Sequence, residues 1–155
     1  MSVYKTQRKE AVVQFLSDAK KLRITTIRII KRFPTSYRWI CTNKMLELAE
    51  EAYISCVRAN DIYIGSGMDE RDYDLRHRYF MKAYTAVEAL LAEITFLYEL
   101  VDDGNSIYKS RSDYDKAFYN WIEQGNITAK RIHNVIKSDK QRYKKYFNDS
   151  DIGQE

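Results

Sequence analysis

The sequence predicts an all-α protein that folds as an up-down-up-down four-helix bundle. Its 155 residues include one proline and five glycines, too few for the repeated tight turns of a β-sandwich. Apolar residues instead recur with the 3.6-residue period of an amphipathic helix in four successive segments. A chain of this length suits one domain with its own core. We therefore expect a single domain over residues 1–155, with helices near 10–33, 37–63, 70–101 and 112–137.

The first two helices each carry one apolar stripe. In the first helix the stripe comprises Val12, Phe15, Leu16, Ala19, Leu22, Ile29, Ile30 and Phe33. Pro34 ends this helix, because the residue before a proline is pushed out of the α region. The second stripe fades at Gly65-Ser66-Gly67 and comprises Cys41, Met45, Leu48, Ala49, Ala52, Cys56, Ala59 and Tyr63. The two cysteines would lie roughly 22 Å apart on one helix, too far for a disulfide, so we expect buried free thiols.

The third helix has the clearest helical period of the chain. Its stripe comprises Tyr79, Phe80, Ala83, Val87, Leu90, Leu91, Ile94, Leu97, Tyr98 and Val101. Asp69 or Asp72 is expected to cap its start, and the cluster Asp102-Asp103-Gly104-Asn105 to end it.

The fourth helix is expected to be continuous across Gly125, because the apolar pattern stays in phase there. Its stripe comprises Tyr114, Phe118, Trp121, Ile122, Ala129, Ile132, Val135 and Ile136. Beyond this helix we expect a short basic turn over 139–147.

Charge is strongly polarised along the chain. Residues 1–44 contain eleven basic and two acidic residues, Glu10 and Asp18, for a net charge of +9. Residues 45–107 carry a net charge of −8 and residues 108–155 one of +3, which together give the overall +4. Such polarisation creates a surface potential that attracts polyanions or an acidic protein partner.

The helical wheel collects five cations of the first helix opposite its core stripe, where all five can reach one flat partner. A solvated face usually mixes both signs of charge, and this one barely does, so we expect a phosphate-binding surface. Aromatic residues interleave with the cations of the tail, where they could stack on unpaired bases. The candidate nucleic-acid-binding residues are Lys20, Lys21, Arg28, Lys31, Arg32, Arg38, Lys44, Lys140, Arg142, Lys144 and Lys145.

A second apolar seam lies outside the core stripes, and we interpret it as a homo-oligomer interface. Leu46, Tyr53 and Val57 are aligned on the second helix, and Ile24 stands among the cations of the first. Scattered surface hydrophobes are normal on monomers, whereas aligned ones more often mark an interface. Arg23 and Arg76 lie near or within apolar stripes. Each is expected to reach a buried carboxylate or to extend to water, with a pore or interface role as the alternative.

Residues that carry catalysis or hold metals are scarce. The only histidines are His77 and His133. The nearest match to a di-iron motif, Asp74-Leu75-Arg76-His77, occurs once and contains an arginine, which opposes a metal cation. No glycine-rich phosphate loop is present. We therefore expect a non-enzymatic protein with no metal and no cofactor. We also expect it to be soluble and cytoplasmic, since no signal peptide or membrane span is visible.

The chain resembles the bacterial four-helix bundle proteins related to the accessory variability determinant (Avd) of diversity-generating retroelements and to proteins encoded in 23S ribosomal RNA intervening sequences. Phe33-Pro34 closes a basic first helix, and Ala59-Asn60-Asp61-Ile62-Tyr63 closes the second. The long third helix with Ala83, Leu90 and Leu91 adds to the resemblance, as does the ending Ile136-Lys137-Ser138-Asp139-Lys140-Gln141-Arg142-Tyr143. The resemblance covers roughly residues 10–146.

The resemblance implies a ring-like homo-oligomer, a pentameric barrel with a positively charged surface. In retroelements such an assembly binds the reverse transcriptase and nucleic acid (RNA or DNA) and supports mutagenic cDNA synthesis without catalysing it. The matching basic residues are Lys20, Lys21, Arg28, Lys31, Arg32 and Arg38. The alternative is an oligomeric protein-interaction scaffold whose basic helix docks an acidic protein and has no nucleic-acid role. A bundle that binds a small molecule or a metal would need polar core residues that the stripes lack.

Overall fold

The structure, a computed structural model, describes residues 14–101 and 107–151, with side chains described as far as residue 147. Within these ranges it contains four α-helices and no strand, as the sequence predicts. They are α1 (Gln14–Ile30), α2 (Asn43–Asn60), α3 (Glu70–Leu100) and α4 (Arg111–Asp151). Val12, the expected helix start near residue 10 and the expected terminator at 102–105 lie outside the described residues. None of the helices in the described ranges is both long enough and apolar enough to cross a membrane.

Each helix packs against its neighbours in chain order, and α4 closes the bundle by packing against α1. Contacts at the two ends define the direction of each helix. At one end Phe15 near the start of α1 meets Phe80 early in α3, with ring centroids 5.1 Å apart. At the other end Phe33, just after α1, meets Phe118 early in α4 at 6.3 Å. Consecutive helices are therefore antiparallel, in an up-down-up-down order.

The core consists of the predicted apolar stripes. The described stripe residues are buried or half-buried in one continuous cluster, with one exception. Tyr63 was predicted to lie in the second stripe, and this prediction is wrong because its side chain is 70% exposed. Since α2 ends at Asn60, residue 63 no longer follows the helical period. Cys41 and Cys56 are buried free thiols, as expected.

The connection between α1 and α2 differs from the prediction. α1 ends at Ile30 rather than at 33, and Pro34 is extended with φ −57° and ψ 150°. A 3₁₀ turn at Thr35–Tyr37 and a π-helical turn at Arg38–Thr42 follow before α2 begins. Helical backbone therefore begins at Arg38, close to the expected start near 37 but as a π turn, and α2 ends at Asn60 rather than near 63. A single π turn is too short to be recognised from apolar periodicity, which is read over windows of about 11 to 18 residues.

The boundaries of the last two helices show where tertiary contacts act. Asp69 caps α3, since its carboxylate accepts a hydrogen bond from the Arg71 backbone N–H at 3.0 Å. α4 is continuous across Gly125, as predicted. The expected separate turn over 139–147 was wrong, because α4 continues through that segment to Asp151. Interhelical contacts hold the extension in place: Tyr143 stacks on Tyr73 of α3 with ring centroids 4.1 Å apart.

Candidate nucleic-acid interface

The outer face of α1 carries two rows of exposed cations. Lys20 and Lys31 lie on the side towards α2, and Lys21, Arg28 and Arg32 lie on the side towards α4. Ile24, 37% exposed, lies between the rows. Among the residues that the structure describes, no carboxylate lies within 4.0 Å of any of these five basic groups. Within the described part of the chain these five cations therefore have no acidic partner, and they can bind a partner's anions.

Asp18, one of the two acids in the basic segment, does not neutralise this face. It is only 4% exposed and points into the contact between α1 and α4. Its carboxylate accepts a hydrogen bond from the Arg131 Nε at 3.1 Å and another from the Gln14 amide at 3.3 Å. Its backbone carbonyl accepts from Thr128 and Gln124. The packing of α4 thus removes Asp18 from the surface and leaves the outer face more positive than the sequence count indicates.

The structure extends the basic surface to cations that the sequence analysis did not select. The Arg32 guanidinium lies over the Tyr108 ring, 4.6 Å from its centroid. Burial raises the pKa of Tyr108, and the nearby Arg32 charge opposes that rise. A cleft of about 350 Å³ beside this pair is also lined by Lys109 and Lys116, together with Asp113. No sequence signal joins these lysines to α1, because the pairing of α1 with the start of α4 is a tertiary contact.

Arg38 and Lys44 lie at the end of the bundle where α1 turns into α2. Arg38 is exposed in the π-helical turn, whereas Lys44 forms a surface ion pair with Glu47 at 3.8 Å. Exposed pairs of this kind contribute little, so Lys44 remains available to a stronger anion. Between α1 and the turn lies a second cleft, of about 330 Å³, whose lining includes Lys31 and Arg38.

Trp39 and Ile40 in the same turn are highly exposed, at 91% and 59%. Neither residue belongs to a site predicted from the sequence. The sequence does contain a sign that they are exposed: both fall outside every apolar stripe, although they are among the most hydrophobic residues of the segment. Adjacent exposed hydrophobes of this size often belong to a binding surface.

The cations of the tail lie at the opposite end of the bundle from the π-helical turn. All four predicted residues are exposed there: Lys140, Arg142, Lys144 and Lys145. Tyr143 is one of the aromatic residues interleaved with these cations, which could stack on unpaired bases. Its ring stacks on Tyr73, with centroids 4.1 Å apart, and lies tilted against Phe147 at 4.3 Å. The tail therefore adds positive charge, but Tyr143 is already part of an intramolecular aromatic column.

Arg76 reaches a buried carboxylate, as one of the two expected arrangements requires. Its guanidinium donates to both oxygens of Asp139, at 2.7 and 3.3 Å, and to the carbonyls of Ala59 and Ile62 at 3.1 and 3.0 Å. It thereby joins α2, α3 and α4. Arg23 is half-buried, and its guanidinium lies over the Tyr53 ring at 5.8 Å rather than beside a carboxylate.

The three predicted interface residues of α2 lie along the groove between α1 and α2, whereas Ile24 lies on the outer face of α1. Leu46, Tyr53 and Val57 are half-buried, and Tyr53 packs against the core beneath Arg23. A more exposed apolar row runs along the outer face of α3. Its largest members are Met81, Phe96 and Leu100, which are 39%, 50% and 38% exposed, and the exposed Ala89 and Ala92 lie between them. The wheel analysis of α3 described only its inward stripe and so did not select these residues.

The thiol and imidazole groups lie in packed surroundings. Burial raises the pKa of Cys56 to about 12. Burial also raises the pKa of Cys41, and the negative charge of Glu93 adds to that shift. His77 stacks near Tyr73, with ring centroids 6.0 Å apart. Among the described residues, no three side chains of His, Cys, Asp or Glu come together in a way that would hold a metal ion.

The fold and the site together define a four-helix protein with an unneutralised basic face on α1 and exposed hydrophobes at one end. Comparison with protein-family models, with curated proteins and with solved structures finds no match to this chain.

Proposed function

We propose that this protein is a non-enzymatic accessory protein that binds nucleic acid through the basic face of α1. The observation that carries the proposal is the burial of Asp18 against Arg131. It leaves the cations of this face without an acidic partner among the residues that the structure describes. Five cations on about three helical turns match the requirement of a phosphate backbone for several simultaneous contacts. Lys109 and Lys116 extend the same surface around Arg32.

The resemblance to the Avd-related bundles adds the biological setting of the proposal. In that setting the protein assembles into a ring-like homo-pentamer, binds a reverse transcriptase and supports mutagenic cDNA synthesis in a diversity-generating retroelement. The raised pKa values of both thiols support a role without catalysis, because a nucleophilic cysteine needs an accessible thiolate. The predicted oligomer contact is the α1–α2 groove with Ile24, Leu46, Tyr53 and Val57.

A second candidate function is a protein-interaction scaffold, and the outer face of α3 favours it. Met81, Phe96 and Leu100 form an exposed apolar row at helical spacing, which suits a partner helix better than a phosphate backbone. In this case α1 would dock an acidic protein surface and would not bind nucleic acid.

The two candidates differ in how binding of a labelled RNA hairpin depends on salt. Fluorescence anisotropy is measured between about 50 and 300 mM KCl. For four to six phosphate contacts, the logarithm of the affinity should fall against the logarithm of the salt concentration with a slope of about −3 to −5. A scaffold that does not bind nucleic acid would show no saturable binding.

A matched pair of charge variants locates the surface. Lys20→Gln with Lys31→Gln should weaken binding and reduce the magnitude of the slope by about 1.5, since each lost contact contributes about 0.7–0.9. Lys130→Gln with Lys137→Gln removes the same charge from exposed positions on α4 and should change the slope little. Equal effects of the two pairs would reject the α1 face as the binding site, and a slope near zero would reject phosphate contact.

A further inference from the structure

Trp39 is the most exposed large hydrophobic side chain among the described residues, at 91%. The other tryptophan, Trp121, is fully buried and donates its indole N–H to Thr26 at 2.9 Å. A fully solvated indole gains nothing from the core, and neighbouring Ile40 is exposed as well. These side chains therefore do not stabilise the fold, and their exposure needs another explanation.

Trp39 lies in the π-helical turn that precedes α2. The Asn43 backbone N–H donates to the carbonyl of Arg38, which closes a turn with one residue more than an α turn. Cys41 and Thr42 in the same turn are buried, whereas Arg38, Trp39 and Ile40 are exposed. Single π turns of this kind occur frequently at functional sites.

The cleft beside this turn combines apolar walls with two cations. Its volume is about 330 Å³, within the usual size range of small-ligand sites. Its apolar surface comes from α1, the turn and α2: Ile27, Ile30, Phe33, Pro34 and Leu46. Lys31 and Arg38 supply the positive charge, and no described carboxylate lies within ion-pair distance of either.

Several features favour a single strand over a duplex as the occupant. Only an unpaired base offers a free face to an indole, and aromatic side chains beside cations are the usual platform for single strands. The cations also continue away from the cleft: Lys20 lies eleven residues before Lys31, about 17 Å along the helix axis, so a strand leaving Trp39 keeps meeting positive charge. Tyr143 cannot play this role without leaving Tyr73 and Phe147.

We infer that the Arg38–Thr42 turn is a binding site for single-stranded nucleic acid, in which an unpaired base stacks on Trp39. Arg38 and Lys31 bind the flanking phosphates, and the cleft takes the adjacent nucleotide. This inference rests on the proposed function and deepens it, because it distinguishes single strands from duplexes.

The test uses the two tryptophans as internal reporters in the full-length protein. A 15-nucleotide oligouridine RNA and a 15-base-pair DNA duplex, each 5′-labelled, are titrated by anisotropy. Tryptophan emission and acrylamide quenching are followed with unlabelled strands. The RNA should quench the solvent-exposed Trp39 emission and protect it from acrylamide, while the buried Trp121 emission stays unchanged.

Substitutions give the quantitative test. Trp39→Ala should weaken oligouridine binding by about 5- to 150-fold, the range for loss of one base–aromatic stack, and change duplex binding by less than about twofold. Trp39→Phe should retain part of the affinity. Tyr119→Ala, which removes another highly exposed aromatic, on α4, is the matched control and should leave both affinities unchanged. Circular dichroism and Trp121 emission establish that each variant is folded.

Each outcome separates this inference from the proposed function. If oligouridine binds without changing Trp39 emission, and binds Trp39→Ala as tightly as the unsubstituted protein, the inference is wrong and the proposed function stands. Failure of every nucleic acid to bind at low salt removes both. A Trp39 response to vesicles containing phosphatidylserine but not to oligouridine would overturn the inference in favour of a lipid surface.

Discussion

Replacing Asp139 by alanine should destabilise the protein severely, because it leaves the Arg76 guanidinium buried without a counter-charge. The two side chains are 10% and 5% exposed and approach to 2.7 Å. In Asp139→Ala the guanidinium keeps the carbonyls of Ala59 and Ile62 and the face of the Phe80 ring, 4.9 Å from its centroid, but no counter-charge among the described residues. The variant therefore tests whether the junction of α2, α3 and α4 depends on this ion pair.

The expected loss is about 3–5 kcal/mol of unfolding free energy, the usual effect of breaking a buried pair from one side. At this chain length each kcal/mol shifts the Tm by about 2–4 °C, so the Tm should fall by between roughly 6 and 20 °C. The matched control is Glu51→Ala, which removes a half-exposed ion pair to Lys82 between α2 and α3. It should lose less than about 1 kcal/mol.

Urea denaturation followed by circular dichroism measures these differences in a double-mutant cycle. Arg76→Met should also be severely destabilising, since it leaves the Asp139 carboxylate buried and unpaired. The double variant should lose less than the sum of the single variants by about 2 kcal/mol or more. A loss for Asp139→Ala no larger than that for Glu51→Ala, or additive single effects, would refute this reasoning.

Three further predictions concern packing, pH dependence and assembly. Gly125→Ala should destabilise the protein by about 1 kcal/mol. The new alanine Cβ would lie 2.5 Å from Leu91 Cδ2 and 3.1 Å from Leu91 Cγ. The cost of this overpacking outweighs the gain of about 1 kcal/mol in helix propensity. In a Leu91→Ala variant, Gly125→Ala should instead stabilise the protein, as measured by urea denaturation. If Gly125→Ala stabilises the protein that keeps Leu91, the close packing is contradicted. Burial raises the pKa of Cys56 from 9.0 to about 12, so above pH 9 the folded protein keeps a thiol proton that the unfolded chain loses. The free energy of unfolding should therefore fall between pH 9 and about 12, by up to about 1.4 kcal/mol per pH unit. In Cys56→Ala the free energy of unfolding should fall less steeply with pH above pH 9. An unchanged slope in urea titrations at alkaline pH would disprove this prediction. Finally, Leu46→Glu should reduce the mass measured by light scattering to that of a monomer, whereas Phe96→Glu should not; the reverse result would move the interface to α3.

The helical period of the sequence was sufficient to predict four helices and most of the core. Residues at i, i+3 and i+4 share a face whatever the rest of the chain does, so the stripes containing Leu22, Ala52, Val87 and Ile132 could be identified without any tertiary information. The same local geometry placed the α1 cations on one exposed face. The Asp69 cap was also predictable, because it depends on the next two residues alone.

Tertiary structure decided everything that depends on a partner from another helix. Arg131, 113 residues away along the chain, removes Asp18 from the basic face, and no local pattern encodes that pairing. The continuation of α4 past residue 137 is tied to contacts with α3, such as Tyr143 on Tyr73, and not to an apolar stripe of its own. The π turn before α2 and the cleft between it and the end of α1 also leave no mark on composition. Periodicity describes the faces of one helix, whereas charge pairing, helix ends and clefts arise where the faces of different helices meet.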